Sequence, residues 1–286
     1  MKRAAQSLAP IRSAQIVHSL DVDLPLNTLF PHVGPISIAT VHDLSVFDVP
    51  WAFSKKRGGL ERAALTLMLK RADALIAVSK FTADRVRARF GRDSTVTLLA
   101  PRRGLCAPSD AVIEDTIESL KLPERFVLHV GTIEPRKDVP RLAAACRDIG
   151  IPLVTAGSGS LQPADAGGVI QLGYVGDDVL PALYAAATAV AYPSRYEGFG
   201  LPPIEAMACG AAVVVTGVGA LPELAPADFP LVTPEDPADL RNHLGSAVHD
   251  ESHNRHLRNA GARLIEPLSW ERAALSTVDL YARLLG

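Results

Sequence analysis

The sequence has few cysteines and no long apolar run, and these absences exclude several classes of protein. Cys106, Cys146 and Cys209 are too few and too widely spaced for a disulfide framework or a zinc-binding motif. We expect buried thiols that pack as small hydrophobic side chains, in a reducing cytoplasm. Nothing approaches the ~20 apolar residues of a transmembrane helix. The basic start Met1–Arg3 is not followed by an apolar run, so no signal peptide is predicted.

The net charge is only −2, yet the charges are unevenly divided along the chain. Residues 1–110 contain 16 lysines and arginines against 9 acidic residues, whereas residues 111–286 contain 13 against 22. A basic segment favours an anionic partner, such as a phospholipid surface or a phosphate-linked acceptor. Chance clustering of solvated side chains explains the asymmetry equally well. With 48% apolar residues, the composition excludes a disordered chain.

Short apolar runs alternate with helical patterns, which is typical of parallel sheets in an α/β fold. The length suffices for two domains of ordinary size. Turn-forming residues near position 104 predict a linker. We therefore expect an N-terminal domain over residues 1–110, a second domain over residues 111–268, and a closing helix over residues 269–286 that packs back toward the first domain.

The strands and helices follow from the same patterns. The predicted strands are Gln15–His18, Ile36–Val41, Ala74–Val78, Thr95–Leu99, Phe126–Val130, Pro152–Thr155, Ala189–Tyr192 and Ala211–Thr216. The predicted helices are Leu60–Arg71, Thr82–Phe90, Val139–Ile149, Leu180–Ala187, Ile204–Cys209 and Trp270–Leu285.

The segment YPSRYEGFGLPPIE, residues 192–205, has the composition of a ligand site. A strand ends, a glycine-bearing loop follows, and two prolines indicate the first turn of a helix. Such a helix start presents free amides and the positive end of a dipole to a diphosphate. Gly198 and Gly200 let the backbone approach a ligand, and Glu197 and Glu205 can accept hydrogen bonds from sugar hydroxyls. Alternatively, Glu205 in the first turn merely complements the dipole and Glu197 is solvated; the unit as a whole favours a site.

A second segment, VGTIEPRKD over residues 130–138, follows a predicted strand and precedes a predicted helix. Arg136 and Lys137 should therefore lie at the carboxyl edge of the sheet, where open parallel sheets bind ligands. A buried pyrophosphate needs cations, because hydrogen bonds to charged groups contribute ~1.5–3 kcal/mol each. A mere surface pair of cations is disfavoured, since at a helix start it opposes the dipole.

The spacing from Glu197 to Glu205 resembles the E-x7-E motif of family 4 retaining glycosyltransferases, in the form EGFGLPPIEAMACG. The resemblance implies that Glu197 contacts the donor sugar and that Glu205 holds the ribose hydroxyls. It further implies that the amides of Phe199, Gly200 and Leu201 support the sugar and the phosphates.

Two other segments resemble the same family. GTIEPRK resembles a subgroup in which the loop cations neutralise the leaving diphosphate, so Gly131, Arg136 and Lys137 would bind the donor without a metal or other cofactor. TVHDL resembles the "HD" loop, followed downstream by AVSKFT, which resembles the "VSEFT" segment. His42 would then line the donor-sugar pocket, with Asp43 orienting it.

Weaker resemblances complete the expected site. Tyr174 and Val175, after Gly173, correspond to the loop that holds the nucleotide base in relatives. His18 is expected to be structural and His129 to be a core residue. Four histidines of a polar helical region are expected to be solvated and to form no metal site; they are His243, His249, His253 and His256.

The resemblance implies a GT-B fold, in which two Rossmann-like domains face each other across a cleft. The implied reaction moves a hexosyl group, with a mannosyl type favoured, from a GDP- or UDP-sugar to an acceptor hydroxyl with retention of configuration. The acceptor would be a glycan or lipid-linked molecule in polysaccharide or glycolipid assembly. No nucleic-acid partner is expected.

The sequence also departs from the family. Members begin with a Gly-rich segment, whereas Met1–Ser13 contains no glycine, so we expect an incomplete N-terminal domain. Leu99–Gly104 replaces the usual V-x-P-x-G-V-D turn. One alternative is therefore a truncated or degenerate non-catalytic nucleotide-binding subunit that needs a partner chain. A sugar-nucleotide epimerase fits less well, because the EGFGLPPIE loop indicates a transferase.

Any membrane contact would be peripheral, on the inner face. The basic region Lys55–Arg71, with leucines interspersed, either docks on an anionic membrane or is a solvated amphipathic helix packed on the sheet.

Overall fold

The computed structural model describes residues 14–20, 35–162 and 165–286. The basic start and the glycine-free segment noted in the sequence lie outside these residues. The chain divides into two compact units. The first unit contains the chain up to Leu99 together with Glu197–Phe199 and Ser269–Gly286; the second contains Ala100–Tyr196 and Gly200–Leu268. Each unit holds one parallel sheet, which confirms the α/β class.

The sheet of the first unit has four parallel strands, and its spatial order follows the chain. The second and third strands pair with Ile38 opposite Ala74. The strands are β1 (Ile16–Ser19), β2 (Ile36–Val41), β3 (Ala74–Ala77) and β4 (Thr95–Val96). All four lie where the sequence placed strands, but β4 is three residues shorter than predicted.

Helices cover this sheet. They are α1 (Ser45–Asp48), α2 (Lys55–Arg71), α3 (Lys80–Phe90) and α11 (Trp270–Leu285), with a 3-10 turn over Pro50–Ala52. Serines cap α2 and α3, where Ser54 and Ser79 accept backbone N–H bonds at 3.4 and 3.0 Å. The cap adds a turn that apolar periodicity alone did not show, so α2 begins five residues earlier than predicted. Leu280 of α11 packs against Ile38 and Ile76 of the sheet.

The sheet of the second unit has five parallel strands in the order β7-β6-β5-β8-β9. They are β5 (Val127–Val130), β6 (Leu153–Ala156), β7 (Val169–Gly173), β8 (Ala189–Tyr192) and β9 (Val213–Val215). The helices are α4 (Asp110–Ser119), α5 (Val139–Asp148), α6 (Leu180–Ala186), α7 (Leu201–Ala208), α8 (Leu221–Leu224), α9 (Pro237–His249) and α10 (Glu251–Ile265), with a 3-10 turn over Pro135–Lys137.

In the second unit, β7, α4 and α8 were not predicted, and α9 and α10 were expected only as a polar helical region without bounds. The edge strand β7 alternates partly buried and exposed residues instead of forming a buried run, so it resembles a loop in sequence. Helix α4 follows directly on the predicted linker and buries no residue. The expectation of buried thiols holds for Cys146 and Cys209, whereas Cys106 is exposed and that expectation was wrong. Among the described residues, no helix is long and apolar enough to span a membrane.

Candidate functional site

The two segments singled out in the sequence meet at one edge of the second sheet. Strands β5 and β8 are neighbours, with Val127 paired to Ala189, so the loops that follow them are adjacent. The backbone N–H of Arg195 donates to the carbonyl of Arg136 at 2.8 Å, and the Arg136 guanidinium donates to the carbonyl of Tyr196 at 3.2 Å. The loop after β5 and the loop after β8 are therefore hydrogen-bonded to each other.

Asp138 holds this junction together. Its carboxylate lies 2.9 Å from Nε of both Arg141 and Arg195, which come from α5 and from the loop after β8. Asp138 adopts a left-handed backbone conformation, with φ of 52°. That conformation is unfavourable for most residues, and aspartate is one of the few that enter it readily. The buried pair with Arg141 and the partly exposed pair with Arg195 oppose the strain and fix the backbone one residue after Lys137.

Lys137 ends the 3-10 turn and is only 8% exposed. Lysine is rarely buried to this extent without charge complementation. The neighbouring Arg136 is partly buried, and its Nε lies 3.2 Å from the carboxylate of Glu134. The contacts of Arg136 with Glu134 and Tyr196 tether the loop. Lys137 and Arg136 thus place two positive charges at the carboxyl edge of the sheet.

Glycines allow the neighbouring loops to pack backbone against backbone. A Cβ atom on Gly157 would lie 2.2 Å from the carbonyl oxygen of Gly131, and the φ of Gly157 is +140°. The backbone N–H of Gly131 donates to the carbonyl of Ala156 at 2.8 Å, and the backbone N–H of Ile133 donates to the carbonyl of Ser158 at 2.8 Å. The loops after β5 and β6 therefore form one layer, and the Gly131 amide is already used within it.

Helix α7 begins earlier than its sequence suggested. It starts at Leu201, directly after Gly200, whose φ of +92° turns the chain into the helix. Glu205 consequently lies in the second turn and not in the first, as had been expected. The dipole explanation for Glu205 is weakened by this correction, because the dipole effect falls off within the first turn.

Glu205 is half-buried and has charged neighbours that the sequence did not reveal. Burial raises the pKa of its carboxyl; the positive charge of Arg102 opposes this shift and the negative charge of Asp177 adds to it. Arg102 and Asp177 form an ion pair, with Nη1 and Oδ2 2.8 Å apart. Arg102 belongs to the segment seen only as a departure from the family turn. In the sequence, the two adjacent arginines before a glycine were the available indication of this charged neighbour.

Several side chains near Glu205 are buried. The hydroxyls of Tyr184 and Tyr192 are 3.5 Å apart, and burial raises the pKa of Tyr184. Burial chiefly, with the nearby Cys106 and Glu205, raises the pKa of Cys209 to about 12, so that thiol stays protonated at neutral pH. Tyr174 follows the edge strand β7 and is 82% exposed, which leaves its ring available for stacking.

In the first unit, three segments converge near His42. Ser79 Oγ donates to the carbonyl of Gly198 at 2.9 Å, and Thr82 Oγ1 donates to the carbonyl of His42 at 3.4 Å. A Cβ on Gly198 would lie 1.8 Å from that His42 oxygen, so the position requires glycine. The imidazole of His42 is exposed and donates through Nε2 to Leu20 O at 2.8 Å.

Asp43 contacts the backbone that follows it. Its carboxylate accepts the backbone N–H of Ser45 at 2.7 Å, and the orienting role toward His42 stays a prediction. The predicted site residues are divided between the units. The first unit holds His42, Glu197, Gly198 and Phe199, and the second holds Gly131, Arg136, Lys137, Tyr174, Val175, Gly200, Leu201 and Glu205.

The ring nitrogens of His129 and His18 contact other residues of their own units. His129 is fully buried and lies 2.9 Å from Ala191 O, which confirms its place in the core. His18 contacts Tyr281 and Thr40 through its two ring nitrogens, at 2.6 and 2.8 Å. His253 was expected to be solvated, but it is partly buried and burial lowers its pKa. Across the described ranges, no group of three or more His, Cys, Asp or Glu side chains could hold a metal ion.

Comparison with known proteins identifies the family. The model of the family "Glycosyl transferases group 1" matches residues 113–264. The O-antigen chain mannosyltransferase B of Escherichia coli is 30% identical over 280 residues, covering 89% of this chain and 72% of the relative.

Two solved structures are similar in fold. A sucrose-phosphate synthase from Thermosynechococcus elongatus has a TM-score of 0.77 and 26% identity, covering 95% of this chain and 74% of its own. The Anabaena protein HepE in complex with UDP-glucose has a TM-score of 0.79 and 19% identity, covering 94% and 79%. The chain therefore belongs to the group 1 glycosyl transferases.

Proposed function

We propose that the chain transfers a hexosyl group, of mannosyl type, from a nucleoside diphosphate sugar to an acceptor hydroxyl with retention of configuration. The junction of the loops after β5 and β8 is the observation that carries this proposal. It brings the buried Lys137 and the start of α7 to the same edge of one sheet. A cation and a helix N-terminus together suit a diphosphate.

Within this proposal each residue of the second unit has a defined task. Lys137 and Arg136 neutralise the diphosphate, and the amides of Gly200 and Leu201 at the helix start donate to it. The carboxylate of Glu205 accepts hydrogen bonds from the two ribose hydroxyls, and it must be ionised to do so. Tyr174 and Val175 contact the base. No metal is required, because the protein supplies the positive charge.

The first unit contributes the sugar contacts. Glu197 accepts hydrogen bonds from the donor sugar, supported by the backbone of Gly198 and Phe199, and His42 donates to the sugar. In the proposed front-face reaction, the acceptor oxygen bonds to the anomeric carbon on the face from which the diphosphate departs. The leaving phosphate oxygen takes the acceptor proton. Catalysis then rests on charge stabilisation and positioning, and no enzyme carboxylate acts as a nucleophile as in double-displacement glycosidases.

The choice of donor and acceptor is supported by the relatives. The mannosyl type follows the E. coli relative, whose name also motivates a polysaccharide or glycolipid acceptor. HepE was solved with UDP-glucose, so both GDP- and UDP-sugars must be tested.

The direct test measures nucleotide binding by thermal shift and calorimetry with GDP, UDP and their sugars. A ligand at a hundred times its Kd should stabilise the protein by about 2.7 kcal/mol. We expect Lys137→Ala combined with Glu205→Ala to abolish this stabilisation. The matched control, Lys55→Ala combined with Glu251→Ala, replaces exposed side chains and should behave as the parent does.

Unchanged affinity for every nucleoside diphosphate in the Lys137/Glu205 variant would overturn the proposal. Incubation with GDP-mannose and acceptor glycans, followed by NMR of the anomeric proton, tests transfer and retention. Binding without transfer or hydrolysis would instead identify a non-catalytic nucleotide-binding subunit. An epimerised donor would identify an epimerase.

A further inference from the structure

A cavity of about 520 Å³ lies at the amino end of the second sheet, and the candidate site uses none of its residues. Arg125 and Thr188 line it from the chain just before β5 and just before β8. The loop that carries Lys137 leaves the opposite, carboxyl end of β5, and a four-residue strand spans about 13 Å. The cavity is therefore separate from the candidate site, and its volume suits a small molecule.

Helix α10 supplies the charged wall of the cavity. Glu251, Asn254, Arg255 and Arg258 stand at positions i, i+3, i+4 and i+7, so they share one face of the helix. With Arg125, the lining contains three arginines and one glutamate, which gives it a net charge of +2 with histidine neutral. Glu251 lies 3.6 Å from Arg255 in an exposed pair, which contributes little. The lining therefore favours an anion.

The hydrogen bonds of two of these arginines go to neutral groups. The partly buried Arg258 donates through Nε to Asn254 Oδ1 at 2.8 Å and through Nη1 to the carbonyl of Gly210. Burial lowers the pKa of Arg258. Arg125 donates to the carbonyl of Val248. Over the described ranges neither arginine pairs with a carboxylate, so an anionic ligand would offset the cost of burying charge here.

Asn254 holds this face of α10 in place. Its Nδ2 donates to the carbonyls of Thr188 and Ala247 at 2.9 and 2.7 Å, which belong to the segment before β8 and to α9. Its Oδ1 accepts from Arg258, so the same side chain also orients the guanidinium. A cation held by its neighbours before a ligand arrives loses less conformational entropy on binding.

The start of α10 is already capped. Asp250 accepts the backbone N–H groups of Ser252 and His253 at 2.8 and 3.1 Å. An anion in the cavity would therefore be bound by guanidinium groups and not by free amides of the helix start. A guanidinium presents a planar fork of donors that matches two oxygens of a phosphate.

We propose that this arginine cavity, defined by Arg125, Arg255, Arg258, Asn254 and Thr188, binds the phosphate group of a small phosphate monoester. Such a group carries about −1.5 to −2 charges at pH 7, which balances the charge of the lining. A carboxylate is a poorer ligand because its single charge leaves the lining positive, and a metal cation is repelled. The volume beyond the phosphate accommodates a polar body such as a sugar. The proposal does not depend on the donor chemistry.

The test is calorimetry of the purified chain with glucose 6-phosphate, inorganic phosphate and glucose at constant ionic strength. The parent should bind glucose 6-phosphate more tightly than inorganic phosphate, because the cavity is larger than a phosphate ion. Arg125→Gln with Arg255→Gln should weaken binding of both phosphate compounds at least tenfold, through lost charge-assisted hydrogen bonds. Both arginines are exposed, so the variant should melt as the parent does. Any binding of glucose should not depend on them.

The matched control is Arg147→Gln with Arg241→Gln, in the same unit. Like Arg125, Arg147 donates to a backbone carbonyl, that of Asp165 at 3.2 Å. Arg241 lies 3.7 Å from Asp148 in an exposed pair. The control removes the same charge and the same kinds of contact outside the cavity, so the affinity for phosphate compounds should stay that of the parent.

The proposal is wrong if the parent binds neither phosphate compound, if the Arg125/Arg255 variant binds them fully, or if the control loses as much affinity. The Lys137/Glu205 variant should bind glucose 6-phosphate as the parent does. Loss of that binding would place the phosphate at the carboxyl edge of the sheet and equally refute the arginine cavity. Nucleotide affinity is measured separately, so the two proposals fail independently. Equal affinity for the two phosphate compounds would identify free phosphate as the ligand, and tighter binding of glucose 6-phosphate a sugar phosphate.

Discussion

The carboxylate of Asp138 lies 2.9 Å from the guanidinium Nε of Arg195, and this contact joins the loop after β5 to the loop after β8. The same carboxylate contacts Arg141 at the start of α5. Because these loops carry Lys137 and precede Gly200, the geometry of the candidate site depends on this ion pair.

Replacing Asp138 tests that dependence. Asp138→Asn keeps a side chain that tolerates a left-handed backbone but removes the charge that two arginines share. We expect the free energy of unfolding to fall by about 2 kcal/mol, less than for a fully buried pair because Arg195 is partly exposed. Nucleotide affinity should fall with it. Urea denaturation and calorimetry measure the two effects.

The control for this substitution is Glu251→Gln, which breaks the exposed pair with Arg255. It should leave both stability and affinity unchanged, because exposed pairs contribute little. Equal effects of the two substitutions would show that the Asp138 contacts are not structural.

Gly157→Ala tests the packing of the loops after β5 and β6. The new methyl group would meet the Gly131 carbonyl at 2.2 Å, in a backbone conformation that L residues rarely adopt. We expect a loss of about 2–4 kcal/mol in unfolding free energy, measured by urea denaturation. Gly167→Ala is the matched control, because nothing lies within 4 Å and its φ is not positive. A Gly157 variant as stable as that control would contradict the described packing.

The pair Arg102–Asp177 should control the pH dependence of nucleotide binding. In the proposed function, ribose hydroxyls donate to ionised Glu205. Burial raises the pKa of Glu205, so the affinity should fall as the pH drops, starting above the ordinary range of a glutamate. Arg102→Gln removes the charge that opposes the shift and should move the fall to higher pH. Asp177→Asn removes a negative charge and should move it to lower pH.

Calorimetry with GDP and UDP across the weakly acidic range measures these profiles. Ionisation of the nucleotide phosphate affects every variant equally, so only differences between variants report on Glu205. Shifts of the same sign in the two variants would refute the assignment. Without nucleotide, the effect of pH on the free energy of unfolding has the opposite sign to its effect on affinity. The contribution of Glu205 to folding is present at low pH and is lost as pH rises through its raised pKa.

Tyr281 tests the attachment of α11 within the first unit. Its hydroxyl lies 2.6 Å from Nδ1 of His18. Tyr281→Phe should lower the free energy of unfolding by about 1 kcal/mol, the usual value of one hydrogen bond. Tyr174→Phe, at an 82% exposed side chain, should have no effect on stability.

His18 adds a pH dependence to the same contact. Burial lowers its pKa below the ordinary 6.5, so the unfolded chain takes up a proton more readily than the folded one. Its stabilising contribution is present above that ordinary value and is lost as pH falls. Unfolding measured from neutral to weakly acidic pH should show a shallower loss in His18→Gln than in the parent.

Much of the fold follows from local sequence patterns. The strands Ile36–Val41 and Ala189–Tyr192 and the helix Trp270–Leu285 were predicted with their observed bounds. Apolar runs and cap residues act over a few positions, so a single segment reveals them. The edge strand β7 was not predicted, because an edge strand is only partly buried and so lacks a continuous apolar run.

The sequence by itself determined the α/β class and the two segments that carry the candidate site, because glycines, prolines and charges at fixed spacing leave a local pattern. Only the tertiary structure decided that Asp138 binds Arg195, that Arg102 faces Glu205, and that Arg125 and α10 line one cavity. These relations join residues that are distant in the chain. Parallel strands pair through long crossover connections, and no local pattern specifies which loops those connections bring together.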